Sequence, residues 1–238
     1  MKQTQDFSDR RHKAWCIHCN DALAQKETNR DHVPSKVFLG TPLPDNLPVV
    51  EICMKCNVSF SSDEEYFAAL LGSILAGSTD PARQSIPSAR RILSENDGLR
   101  ARIENSKREY QTHGGETKVY WTPDTKRVNN VVLKNARGHA YFEFGEPLFS
   151  GAFTVSSWPL ESLTTSERVS FEANDMGEFW PEVGSRMMDR LVTGKDLDGG
   201  WVVVEPGVYR YALSLIDDEL VVRSVIYEYL ATEVTWEV

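Results

Sequence analysis

Residues 15–57 decide the reading: Trp15-Cys16-Ile17-His18-Cys19 at one end, Asp31-His32-Val33-Pro34 in the middle, and Cys53-Met54-Lys55-Cys56-Asn57 at the other. All four cysteines of the chain lie in this stretch, as two Cys-x-x-Cys pairs. A tight turn lets each pair present two thiolates, and two such pairs complete a tetrahedral zinc site. Four protein ligands leave the ion no open position, so this zinc would build structure rather than do chemistry. The chemistry then falls to what the ion holds in place, and Asp31-His32 is the first candidate. A neutral imidazole is a base near neutral pH, and a carboxylate beside it can hold a hard cation. His18, inside the first pair, is expected at its exposed tip.

Working outward, Arg30 to Val33 should be extended, because Pro34 disfavours helix in the residue before it. Residues 34–48 carry four prolines and Gly40 and read as an ordered loop. Val49 to Ile52 reads as a short strand leading into Cys53. Ser61 and Ser62, each followed three positions on by Glu64 and Glu65, look like overlapping capping boxes that start a helix. Apolar residues at 66, 67, 70, 71, 74 and 75 keep helical spacing, and Gly77 is a fitting stop. A charged helix is expected over Ser88 to Gln111, and another over residues 125–144. The latter has an apolar stripe of Val128, Val131, Val132, Ala136, Ala140 and Phe144, with Asn130, Lys134, Arg137 and Tyr141 opposite. From residue 146 on, Phe149 to Trp158 and Arg168 to Ala173 read as strands and Pro181 to Leu191 as a short helix. Trp201 to Glu205, Val208 to Ile216 and Leu220 to Tyr229 form an antiparallel meander, to which Thr232 to Val238 adds a last strand.

The chain has 238 residues, 41% of them hydrophobic, enough for one large domain or two small ones with a real core. No apolar run is long enough to span a bilayer, and Met1 to Lys13 lacks the apolar stretch of a signal peptide. The expectation is a soluble cytoplasmic protein without a membrane partner, in a reducing compartment where cysteines bind metal rather than one another. The net charge of −9 argues against indiscriminate coating of nucleic acid. Its distribution is uneven: residues 1–81 carry 8 Lys/Arg and 11 Asp/Glu, residues 82–139 carry 12 and 6, and residues 140–238 carry 6 and 18. The basic middle is either a set of solvated helix faces or a phosphate-facing surface to which Arg90, Arg91, Arg127, Lys134 and Arg137 contribute.

Cys16-x-x-Cys19, Asp31-His32-Val33-Pro34, Asn46-Leu47 and Cys53-x-x-Cys56-Asn57 running into a helix together resemble the HNH (His-Me finger, ββα-metal) endonucleases, in the subgroup braced by a four-cysteine zinc site. The resemblance covers residues 14–75. It implies that His32 is the general base, that Asp31 ligates a catalytic Mg²⁺ or Mn²⁺, and that Asn57 completes the metal set, with Ser61 and Asp63 as alternatives. It implies that Asn46 orients His32. The family often has His or Asn where this chain has Ser61, and Asn46 lies further before Cys53 than is usual. The substrate implied is nucleic acid, DNA rather than RNA, in a setting of phage defence or mobile elements.

The fold expected is therefore α+β. A zinc-braced ββα-metal module over residues 1–80 precedes a helical basic segment over 81–145 and an acidic, strand-rich region over 146–238. The last region could bind a partner protein or a second copy. The rival to the nuclease reading is a zinc-stabilised nucleic-acid- or protein-binding adaptor without activity.

Overall fold

A computed structural model describes residues 12–45, 47–145, 147–148, 153–174, 181, 183–216 and 218–237. Within these the protein is α+β, with six α-helices, a six-stranded sheet and two two-stranded ribbons. The chain divides into two compact units, Met1–Val58 with Val132–Val238, and Ser59–Val131. These are not the three consecutive segments expected, because both boundaries fall inside helices.

In the first unit, β1 (Thr28–His32) pairs antiparallel with β2 (Val49–Cys53), Thr28 opposite Cys53 and His32 opposite Val49. Helix α1 (Met54–Ala76) begins at the next residue. It starts seven residues earlier than the capping-box serines suggest, and Ser61 and Ser62 lie in its interior. The cap comes instead from the second cysteine pair: the Cys53 sulfur accepts the Cys56 backbone N–H at 3.5 Å. Cys53 thus occupies the N-cap position and satisfies the amide three residues on, as a serine or aspartate would. The Met54 amide is satisfied by the Glu27 carbonyl at 2.8 Å.

The large sheet runs in the order β5 (Phe153–Pro159), β10 (Leu230–Glu237), β9 (Glu219–Ile226), β8 (Tyr209–Ile216), β7 (Trp201–Glu205) and β6 (Leu197–Asp198). All neighbours are antiparallel. The expected terminal meander is present. Both sheet faces are covered. On one, Ala212, Val225 and Ala231 pack with Trp201 and with Phe171 of helix α5 (Thr165–Glu172). Arg168 to Ala173, expected as a strand, is largely this helix. Thr164 caps it and Glu167 returns the bond to the Thr164 amide, a capping box that alternation of side chains conceals.

The other face meets the end of helix α4 (Thr125–Phe144), the predicted helix of residues 125–144. His139 stacks on Tyr211 with centroids 3.6 Å apart, and its Nε2 lies 3.0 Å from the Tyr209 hydroxyl. Buried Glu143 takes one hydrogen bond from Tyr211 and pairs with Arg190 of helix α6 (Arg186–Thr193). The apolar stripe read from α4 was therefore incomplete: beyond residue 132 the helix is buried on its polar side as well, where Lys134, Asn135 and Glu143 find partners while His139 Nδ1 has no hydrogen bond among the described residues.

The second unit is built from residues 59–76 of α1, α2 (Pro87–Glu95), α3 (Asp97–Asn105), a ribbon of β3 (Lys107–Gln111) and β4 (Thr117–Trp121), and the start of α4. The single charged helix expected over Ser88 to Gln111 is divided. Asn96 leaves helical geometry at φ −127° and caps α3 through the Leu99 amide. Helices α1 and α2 approach so closely at Gly72 that a Cβ there would lie 2.4 Å from that of Ala89. Among the described residues no helix is long and apolar enough to cross a membrane.

Candidate metal and phosphate site

The four sulfurs of Cys16, Cys19, Cys53 and Cys56 lie within 4.8 Å of one another. Thiolates about 2.3 Å from a tetrahedral ion sit about 3.8 Å apart, and the Cys19 and Cys53 sulfurs are 3.7 Å apart. The cluster can therefore hold a metal ion such as zinc. Local structure explains how two distant segments meet. Cys16 accepts the Asn20 amide and donates its own to Asp21, closing the first turn, while Trp15 bridges to Ala22. Cys53, buried at the end of β2, belongs to a cluster with Cys16, Ile17, Val50 and Ile52. At Cys53, burial pulls the thiol pKa up, but the Cys56 amide and the neighbouring thiols outweigh it and hold it below the ordinary value. A helix N-terminus favours a thiolate for the same reason.

Successive residues of a strand face opposite sides, and β1 turns Asp31 and His32 apart. Asp31 faces inward, opposite buried Val50. Its Oδ1 accepts from the Lys134 ammonium at 2.8 Å, and its Oδ2 is 4.0 Å from His18 Nε2. Lys134 also donates to Ser35 Oγ at 3.0 Å, and Ser35 bonds Asn135 through both its amide and its hydroxyl. The Lys134 and Asp31 side chains are 3% and 10% exposed, so the pair is dry. Lys134, expected on a phosphate-facing surface, is instead the counter-ion of the carboxylate expected to hold a catalytic cation. A hydrated divalent ion at this carboxylate would meet the ammonium, so Asp31 as it stands does not fit that role. His18 is not an exposed tip: its side chain is buried, and burial with the charges of Lys134 and Arg137 lowers its pKa to about 3.

His32 closes β1 on the outward side, partly exposed. Burial, then the charges of Lys36, Arg30 and Lys134, lower its pKa, so the ring is neutral at neutral pH. Arg30 and Lys36 are cations that the sequence reading passed over. Arg30 was legible, since residues two apart on a strand share a face. Asn57 lies in the first turn of α1, partly exposed, and Ser61 in its interior. Asn46 lies outside the described residues.

The remaining expected cations are engaged variously. Arg137 donates to the His18 carbonyl at 3.2 Å, Arg90 to the Gln84 carbonyl at 2.7 Å, and exposed Arg91 pairs with Glu95. In the second unit Arg127 binds Asp63 at 2.7 Å and lies over the Tyr66 ring, and Asn130 holds the other Asp63 oxygen at 2.8 Å. Asp63, weighed as a metal ligand, is thus fixed by protein donors. No protein family, curated protein or solved structure matches the chain.

Proposed function

We propose that the protein hydrolyses phosphodiester bonds of nucleic acid, DNA before RNA, with His32 as the general base. The observation that supports this best is His32 itself. It is a neutral imidazole on the outward side of β1, in a strand–strand–helix segment that carries the four-cysteine cluster, its pKa lowered by burial and then by the charges of Lys36 and Arg30. His32 takes the proton from a water that attacks phosphorus, the bond from phosphorus to the 3′ oxygen breaks, the departing oxygen takes a proton from solvent, and the two cations attract the phosphate. Zinc on the four cysteines would hold β2, the start of α1 and the first turn in register and take no part in the step. A divalent ion at Asp31 enters only through the resemblance to HNH nucleases, as does a setting in phage defence or mobile elements. Lys134 already neutralises Asp31.

A nicking assay on supercoiled plasmid with added Mg²⁺ or Mn²⁺, or none, tests the reading. The wild type should cut, and His32→Ala should lose activity by about 10²–10⁴-fold, the usual worth of a general base. Equal cutting by both, or none in any ion, overturns it. The Asp31–Lys134 pair favours a second reading, a zinc-braced adaptor that binds without cutting, and binding with no cleavage under any ion would establish that one.

A further inference from the structure

The β3–β4 ribbon of the second unit is exposed almost throughout, with only Trp121 buried at its root. Its register places Arg108 opposite Tyr120 and Tyr110 opposite Lys118. Cross-strand partners share a face, so one side of the ribbon presents two tyrosines and two cations and nothing else from the strands. The rings touch edge-on across the diagonal, centroids 5.9 Å apart, and each residue is about half exposed, 48% for Tyr110 and 49% for Tyr120. Arg108 is held at the root by hydrogen bonds to the carbonyls of Asn105 and Lys107, at 2.8 and 2.7 Å. Of the local acids, Glu109 lies on the opposite face beside Val119, and Glu116 precedes β4 in the turn.

Exposed aromatics scattered singly need no explanation, but here two touch and form one patch, the arrangement that marks interaction surfaces. Here they alternate with positive charge. An aromatic face stacks on a base and a neighbouring cation takes the adjoining phosphate, the combination by which single strands are bound without regard to sequence. In a duplex the base faces are hidden in the stack, so these rings can reach only unpaired bases. We propose that the Arg108–Tyr110–Lys118–Tyr120 face of the β3–β4 ribbon is a binding surface for single-stranded nucleic acid. The preference for nucleic acid over an acidic protein leans on the nuclease reading. The binding itself does not depend on hydrolysis.

The test is fluorescence anisotropy of the full-length, zinc-loaded chain without added divalent ion. The probes are a labelled 20-nucleotide oligo-dT, a duplex of equal length and poly-glutamate. The wild type should bind oligo-dT at least about tenfold more tightly than either competitor. Tyr110→Ala with Tyr120→Ala should weaken it by about 100-fold, roughly tenfold per stacked ring, and Tyr→Phe at both should restore it. Arg108→Ala with Lys118→Ala should lower the log–log salt slope by about 1.4, near 0.7 for each phosphate. Gln111→Ala with Thr117→Ala, on the other face, should change nothing. Duplex or poly-glutamate binding equal to oligo-dT, or an alanine pair that binds like wild type, overturns the proposal. Binding that follows these expectations in a protein that never cuts removes the nuclease reading and leaves this one standing.

Discussion

Lys134→Met isolates the interaction that most changes how the site is read. The ammonium and the Asp31 carboxylate are 2.8 Å apart and nearly inaccessible to water. At an effective dielectric constant of about 20, their attraction is roughly 6 kcal/mol. Removing two charges from water costs several kcal/mol for each ion, so the intact pair stabilises the fold little in net terms. Breaking it is another matter. Methionine fills the space of the lysine stem but leaves Asp31 buried without its counter-ion, at a cost of about 3–5 kcal/mol. Asp31→Asn with Lys134→Met removes both charges and should recover most of that, ending within about 1–2 kcal/mol of wild type. Urea unfolding followed by tryptophan fluorescence, at pH 7.5 and constant zinc, measures all four corners of the cycle. A single-variant loss below about 1 kcal/mol, or a double variant no more stable than Lys134→Met, would show that the pair is not the buried unit described.

Three other outcomes are expected. Metal analysis should find one zinc per chain, lost in Cys53→Ser, and a strong chelator should unfold the first unit, since binding energy at such sites is folding energy; full stability in chelator would refute the frame. Burial, and next the charge of Arg190, hold the pKa of His139 well below 6.5, with Glu143, Tyr209 and Tyr211 packed beside it. The unfolded chain then binds the extra proton, so this contribution is complete above about pH 6.5 and falls below it by up to about 1.4 kcal/mol per pH unit. His139→Gln should flatten the acid slope of unfolding free energy by one proton, and an unchanged slope would count against it. Gly138→Ala would put a Cβ 2.5 Å from Val33 Cγ2; a loss of about 1–3 kcal/mol is expected, relieved by Val33→Ala, and a neutral Gly138→Ala would show that α4 is not packed so tightly there.

Several features were legible in residue order alone, because they follow from short periods or fixed spacing. Two Cys-x-x-Cys turns predict four sulfurs at one point whatever lies between, and the sulfurs do meet, in a cluster that could hold a metal ion. Alternating β-branched and aromatic residues between turn signals gave the terminal meander, and residues 125–144 gave α4. Local chemistry that runs against period was misread. The Thr164–Glu167 capping box turns an apparent strand into α5, and the Cys53 sulfur starts α1 ahead of the serines that looked like its cap.

What folding alone decided is which charges meet. Asp31 and Lys134 lie over a hundred positions apart, and Glu143 and Arg190 nearly fifty. Nothing in spacing marks either pair, because partner choice is set when sheet and helices pack and each buried charge must find its complement. Read in order, Asp31 looks like an open ligand and Lys134 like a phosphate contact. Brought together in a dry interior they neutralise each other, while His32 faces the other way.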